Sequence, residues 1–293
     1  MITSQVVNGL MLGSLYALIT LGYALVLGVM RIFNLAQAEV FTLGGVLGWL
    51  TITVFKLPAI LALPAALAGG ALLGLVTEFF CVRRSLAGGS FFVPIALTIA
   101  LASVLLNLME EFAGTNPLPI CLPALYTHID LGLATVPLVN LLVFATCWVV
   151  LGLLAFFLKR HPLGLATRAV GENVAVAELL GINSRRVIQL TFALSGGISA
   201  LGGLLFGLMT SAAHPYMGEV AGLKGICLVI IGGMGSLVGA VIAAFIGGVA
   251  EVLTSVYLSA KYVDGVLWAI LFLILLFRPT GLLGESKELE RIQ

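Results

Sequence analysis

Val187–Gly218 reads VIQLTFALSGGISALGGLLFGLMTSAAHPYMG, 32 consecutive residues without a formal charge. A helix crosses the hydrocarbon core of a bilayer with about 20 apolar residues at 1.5 Å each, so this stretch is long enough to span it. It is one of a series. Uncharged runs also cover Met1–Met30, Val40–Phe55, Leu57–Thr77, Ser85–Met109, Leu131–Leu158, Gly225–Ala250 and Gly265–Phe277. Only Val40–Phe55 and Gly265–Phe277 fall short of the spanning length, to be completed by snorkelling ends or to be re-entrant. Across the 293 residues 61% are hydrophobic and 9% charged, where a soluble domain carries roughly 25% charged residues. A soluble surface cannot be built from so few charges, and the chain reads as an all-α polytopic membrane protein.

Basic residues set the orientation. Arg31, Arg83, Arg84, Lys159, Arg160, Arg168, Arg185, Arg186, Arg278, Lys287 and Arg291 all fall on one side if the N-terminus is external. Nine crossings follow, at about 6–30, 36–55, 58–81, 91–109, 137–158, 187–211, 221–233, 237–258 and 262–277. Only Lys56, Lys224 and Lys261 then lie outside. The second and seventh are candidates for short or discontinuous helices, and merging one with a neighbour leaves eight. The chain reads as a single transmembrane domain, 1–293, with an external loop at 110–137 and a cytoplasmic loop at 159–187. Pro117, Pro119 and Pro123 argue against regular structure in the external loop. Met1–Gln5 carries no basic n-region and the run behind it is too long for a secretory signal, so it reads as a retained first span. Ala68-Gly69-Gly70 with Glu78 loosely parallels Ile246-Gly247-Gly248 with Glu251, which suggests two inverted halves around a midplane site.

Glycines recur at four-residue spacing (Gly9/Gly13, Gly44/Gly48, Gly70/Gly74, Gly203/Gly207, Gly235/Gly239). This spacing puts both on one helix face for close backbone approach in lipid. Cys81, Cys121, Cys147 and Cys227 form no Cys-x-x-Cys pair and read as small hydrophobes. Leu194-Ser195-Gly196-Gly197 imitates the signature of an ATP-binding cassette but lies inside the quoted uncharged run. No G-x-x-x-x-G-K-[ST], H-E-x-x-H or G-x-S-x-G occurs, so no phosphate cradle, catalytic constellation or metal site of the chain's own is expected.

Three polar features remain. In the cytoplasmic loop, Glu172–Leu180 reads as a short helix with Glu172 in its first turn, complementing the dipole, and Gly181 after its end. Flanked by bases, it is either a docking element or a solvated surface helix. Glu251 lies inside the eighth span, where an unpaired acid costs on the order of 2.5–3.5 kcal/mol. Lys224 is its candidate partner, in a structural pair or on a transport path. Asn34, Gln37 and Glu39 form a second polar knot between the first two spans, or else an interfacial turn.

The run Gly22–Glu39, ending Arg31-Ile32-Phe33-Asn34-Leu35-Ala36-Gln37-Ala38-Glu39, resembles the first signature of the LivH/LivM-type permeases of branched-chain amino acid ABC importers. Gly164–Asn183 is similar to their ATPase-coupling loop. Gly222-Leu223-Lys224, Gly232–Ala240 and Phe277-Arg278-Pro279-Thr280-Gly281-Leu282 also match, in the same order. The short chain, ending soon after Pro279, is similar to the H-type subunit. Where the family commonly has N-x-A-H-G-E, this chain has Gln37 and Ala38 in place of His and Gly, a departure that touches any family role of that turn.

The resemblance implies a bacterial inner-membrane importer of branched-chain or related hydrophobic amino acids. In it two permease subunits pair, a LivM-like paralogue or a second copy joining this chain. Two cytoplasmic ATPase subunits bind ATP and Mg, and a periplasmic protein delivers solute. The chain itself would bind no cofactor and be no enzyme. Its coupling residues would be Arg168, Ala169, Glu172, Ala175, Ala177, Glu178, Leu180, Gly181 and Ile182. Asn34, Gln37, Glu39, Lys224 and Glu251 are candidates for the substrate path. Urea, an amide or another small solute is an alternative cargo, and a standalone secondary carrier an alternative mechanism.

Overall fold

The computed structural model describes residues 2–83, 92–120, 122, 127–130 and 135–284. Arg84, Cys121, Pro123, Lys287 and Arg291 lie outside the described residues. The chain opens with α1 (Ile2–Met30), α2 (Gln37–Trp49, prolonged by a π-helical turn Leu50–Val54) and α3 (Ala62–Thr77, prolonged by a π-helical turn Glu78–Val82). It continues with α4 (Phe92–Ala113), β1 (Leu118–Pro119), β2 (His128–Asp130), β3 (Thr135–Pro137) and α5 (Leu138–Arg160). The connection after α5, expected on the cytoplasmic side, forms α6 (Pro162–Glu172) and α7 (Val174–Leu179). The last part holds α8 (Ser184–Met209), β4 (Ala212–Ala213), α9 (Met217–Gly232), α10 (Leu237–Tyr257) and α11 (Val263–Phe277).

Eight of these helical segments are long and apolar enough to cross a membrane. The expected seventh crossing corresponds to α9, whose 16 residues give roughly 24 Å, too short to span with a full margin. It packs instead within the bundle against α1, α2, α10 and α11. α1 and α8 form the centre: nearly every side chain of α1 from Gly13 to Val29 is buried, while α4 and α11 are buried mainly along single edges. A helix apolar on all sides is a buried one.

The two halves share a plan. α1 ends at Met30, Arg31 adopts φ 55°, and the helix resumes at Gln37. α8 ends at Met209, Ser211 adopts φ 61°, and the helix resumes at Met217. Both landmarks recur 180 residues on (31 to 211, 37 to 217). Packing repeats as well: α1 lies on α10 as α8 lies on α3. Gly13 meets Gly248 in the first contact, and Gly70 meets Gly196 in the second.

Four of the five spaced glycine pairs sit within helices, and their close approaches include Gly9 and Gly13 on α10, Gly44 on Ala200 and Gly203 on Phe41. The fifth does not. Gly235 has φ 91° in the turn before α10, so the pair straddles a helix start rather than sharing a face.

The segment 110–137, expected to be an external loop, carries more regular structure than its prolines suggest. β1 pairs with β4 and β2 with β3, both antiparallel. Pro119 and Pro137 occupy ends of these short strands, where a missing N–H is tolerated. The Ile120 N–H donates to the Ser211 carbonyl at 2.9 Å. Its side chain is fully buried between Gly48 and Gly207, stoppering the outer end of the α2–α8 contact. Cys81, Cys147 and Cys227 are buried and form no disulfide with one another.

Candidate translocation path and coupling surface

Between Met30 and Gln37 the backbone leaves the helix and runs back into the bundle. The Leu35 N–H donates to Thr98 Oγ1 of α4 at 3.3 Å. Asn34, Gln37 and Glu39 are all buried, at 2%, 1% and 5% exposure, so this segment is no interfacial turn. Gln37 holds it. Its Nε2 donates to the Ser195 carbonyl at 3.0 Å and to Ser199 Oγ at 2.5 Å, and its Oε1 accepts from Asn34 Nδ2 at 3.0 Å. Ser195 Oγ in turn donates to the Gly22 carbonyl at 2.7 Å. Gly22 lies two helical turns from the end of α1 and Ser195 three turns into α8, so the knot sits roughly 12–16 Å in from those helix ends.

Opposite it, α9 begins at the same crossing. The Gly218 N–H donates to Thr42 Oγ1 at 3.0 Å, and Gly218 and Gly222 lie directly on Ala38. The second and seventh crossings thus both begin inside the protein, where their first turns meet. Thr42, Ser195, Ser199, Tyr23 and Glu219 belong to this region and were not among the path residues expected from the sequence, Ser195 having been noted only within a nucleotide-signature look-alike. The one available signal was Ser195 and Ser199 four residues apart in an uncharged span, which places both on one helix face.

Lys224 and Glu251 form a separate network. Lys224 Nζ donates to Glu251 Oε1 at 2.8 Å and to Tyr16 Oη at 3.3 Å. Tyr16 Oη donates to Glu251 Oε2 at 2.7 Å, and Lys224 also reaches Asp264 at 3.4 Å. Both carboxylate oxygens and the ammonium are therefore occupied, which is how a bundle tolerates ionised groups at depth. Tyr16 and Asp264 were not expected from the sequence.

The element expected to couple to the ATPases departs from expectation in one respect. The helix expected over 172–180 is divided: Asn173 has φ −158° and caps α7, its Oδ1 accepting from the Val176 N–H at 3.1 Å. Glu172 therefore ends α6 rather than opening α7, because an Asn side chain satisfies a helix start better than continued helix does. Gly181 follows α7 with φ 84°, as expected of a C′ residue. Arg168, Glu172, Ala175, Glu178, Leu180 and Gly181 are exposed, Ala169 and Ile182 half-buried. Ala177 is buried, packed with Val29 of α1, Val170 of α6 and Val187 of α8. The Ser184 hydroxyl donates to the Glu178 carboxylate, fastening α7 to the start of α8. Outward, Leu179 and Leu180 are 86% and 76% exposed. Among the described residues no group of three His, Cys, Asp or Glu is placed to hold a metal.

Comparison with known proteins agrees with this geometry. Residues 5–276 match the family described as branched-chain amino acid transport system / permease component, and the chain belongs to that family. It is 32% identical over 299 residues to the high-affinity branched-chain amino acid transport system permease protein BraD of Pseudomonas aeruginosa, covering 98% of this chain and 97% of the relative. It is equally 32% identical over 301 residues to the permease LivH of Escherichia coli, with the same coverage. The ribose import permease RbsC of Haemophilus influenzae is 27% identical over 260 residues, 85% of this chain and 78% of that one. No solved structure gives a significant match. The chain is a multi-pass permease of the bacterial inner membrane.

Proposed function

We propose that this member of the branched-chain amino acid permease family is the membrane-embedded gate of an ATP-driven importer for branched-chain or related hydrophobic amino acids. The observation that carries this reading is α7. Two leucines stand almost fully exposed on an aqueous face, while the buried side of the same short helix is packed into α1 and α8. Exposed adjacent apolar side chains on rigid scaffolding mark a docking surface. The partners are two cytoplasmic ATPase subunits holding ATP and Mg, a second permease (a LivM-like paralogue or a second copy of this chain) and a periplasmic solute-binding protein. The chain binds no nucleotide and supplies motion only.

The mechanism follows from connectivity. α7 is fixed to the inner ends of α1 and α8, and those helices carry Gly22, Ser195 and Ser199, on which the start of α2 hangs. Displacement of α7 by the ATPases moves both helices and therefore the crossing of α2 and α9. Differential affinity of the ATPases for the two arrangements shifts their populations. Arg168, Ala169, Glu172, Ala175, Glu178, Leu180, Gly181 and Ile182 surround the docking face, and Ala177 anchors it. Asn34, Gln37 and Glu39 line the crossing. Lys224 and Glu251, mutually satisfied, brace α9 on α10 beside it.

The test is reconstitution. Proteoliposomes holding both permeases and the ATPases, supplied with binding protein, should accumulate leucine only with ATP. Accumulation by this chain alone without ATP would show a secondary carrier. Normal ATP-driven uptake of ribose but not leucine would assign the cargo of the sugar-permease relative instead.

A further inference from the structure

The buried starts of α2 and α9 leave an unusual inventory of unsatisfied groups. Among the described residues three buried side-chain atoms lack a hydrogen-bond partner: Tyr23 Oη, Asn34 Oδ1 and Glu39 Oε2. Two are acceptors only, and the third accepts as well as donates. An unpaired buried polar atom costs on the order of 1–3 kcal/mol, so three within a few residues of one crossing call for a ligand. Tyr23 Oη and Glu39 are within electrostatic reach of one another. Gly222 lies against both Tyr23 Oη and Ala38, leaving no side chain between α9 and this spot. Glu219, exposed in the first turn of α9, faces Glu39 closely enough to interact with it. Lys224, the base nearest Glu219 in sequence, is held by Glu251, Asp264 and Tyr16.

The chemistry of the crossing favours a donor. Helix N-termini ordinarily favour anions, but here four of the leading N–H groups are engaged: Gln37 on the Asn34 carbonyl, Glu39 on Ala36, Met217 on His214 and Gly218 on Thr42 Oγ1. The three unpartnered side-chain atoms can all accept hydrogen bonds, and Glu39 and Glu219 supply two carboxyl groups. Their complement is a compact cation with several N–H donors. We propose that Glu39, with Tyr23 and Glu219, forms a recognition site for the α-ammonium group of the transported amino acid, so that this permease selects its cargo inside the membrane. The proposal rests on the import reading. The crossing is closed in this conformation, Gly218 lying against Ala38, and the site opens when the Gly218–Thr42 contact parts.

The test uses the permease–ATPase complex in nanodiscs without binding protein, probed with radiolabelled leucine, alongside ATP-driven leucine uptake by the full importer. Saturable leucine binding is expected, displaced by isopentylamine (leucine without its carboxylate) and not by 4-methylpentanoate (leucine without its ammonium). Charge-assisted hydrogen bonds are worth about 1.5–3 kcal/mol, so Glu39→Gln should weaken binding about tenfold or more. Tyr23→Phe removes only an unpartnered hydroxyl and Glu219→Gln alters an exposed residue, so both should fold. Each should weaken binding about threefold, as expected of one neutral or partly solvated contact. Displacement by 4-methylpentanoate as effective as by isopentylamine overturns the proposal. So do wild-type affinity in all three variants, or absence of binding by a wild-type complex whose importer takes up leucine. If the wild-type importer takes up no leucine, the import reading itself has failed.

Discussion

Gln37 shows how one side chain can replace several helical hydrogen bonds. It stands where the resemblance places a histidine, and it joins three elements through Asn34, the Ser195 carbonyl and Ser199. Gln37→Leu would fill similar volume while stranding those buried partners, at about 1–3 kcal/mol. Gln37→His keeps a ring N–H to donate. In detergent, thermal unfolding should drop clearly for the leucine variant and stay near wild type for histidine. The Lys224–Glu251 pair behaves differently because Glu251 has two partners and Lys224 three. Lys224→Met leaves the Glu251 carboxylate facing only Tyr16, and removing one partner of a buried pair costs about 3–5 kcal/mol. With 12% and 16% of their side chains exposed, the lower end applies. The double variant Lys224→Met/Glu251→Leu removes both charges and should recover most of the loss. If the two losses simply add in the melting curves, the pair is not coupled. Opposite charges in apolar spans made this pair legible in the sequence. Tyr16 was not, because its part depends on how α1 faces α10.

Helices were legible in the sequence where length decided them and obscure where side chains did. Every long uncharged run lies largely within helix, since lipid leaves the backbone no other partner. The division at Asn173 was missed because the apolar pattern runs on across it, while the cap depends on one side-chain oxygen. β1 was missed because it pairs with β4 some ninety residues later, beyond any local pattern, whereas β2 and β3 pair locally and are only three residues long. Glycine spacing identified close contacts without saying against what. That contact now predicts a graded result. A Cβ at Gly203 would overlap the Phe41 carbonyl, whereas Gly152 has nothing within 4 Å. Overpacking that moves backbone costs typically about 1–3 kcal/mol or more. Gly203→Ala should therefore lower the yield of monodisperse protein by fluorescence-detected gel filtration, and Gly152→Ala should not. Equal yields would mean that α8 and α2 can separate freely.

At the scale of the whole chain, the repeat of a broken helix in each half explains why a bundle this apolar keeps polar groups at its centre. At each break the other half supplies hydrogen-bond partners: α8 gives the Ser195 carbonyl and Ser199 to the Gln37 side chain at the start of α2, and α2 gives Thr42 to the Gly218 N–H at the start of α9. Weak parallels between Gly70 and Gly248 hinted at this arrangement, but the matching left-handed residues, Arg31 and Ser211, have no sequence likeness and emerge only from backbone geometry. Force applied at α7 must pass through α1 and α8 to reach the crossing, and the exposed leucines separate docking from this transmission. Leu179→Asp/Leu180→Asp changes two side chains that touch solvent, leaving Ala177, Val29 and Val187 packed as before. Surface changes of this kind alter stability by about 0.5 kcal/mol or less, so melting should be unchanged. Burying two leucines at an interface is worth about 1.5–3 kcal/mol each, and buried aspartates add a desolvation cost. ATPase co-purification should consequently fall by tenfold or more, with ATP-driven uptake falling in step. Wild-type stoichiometry of the ATPases on this variant would place the docking surface elsewhere and leave α7 a solvated helix.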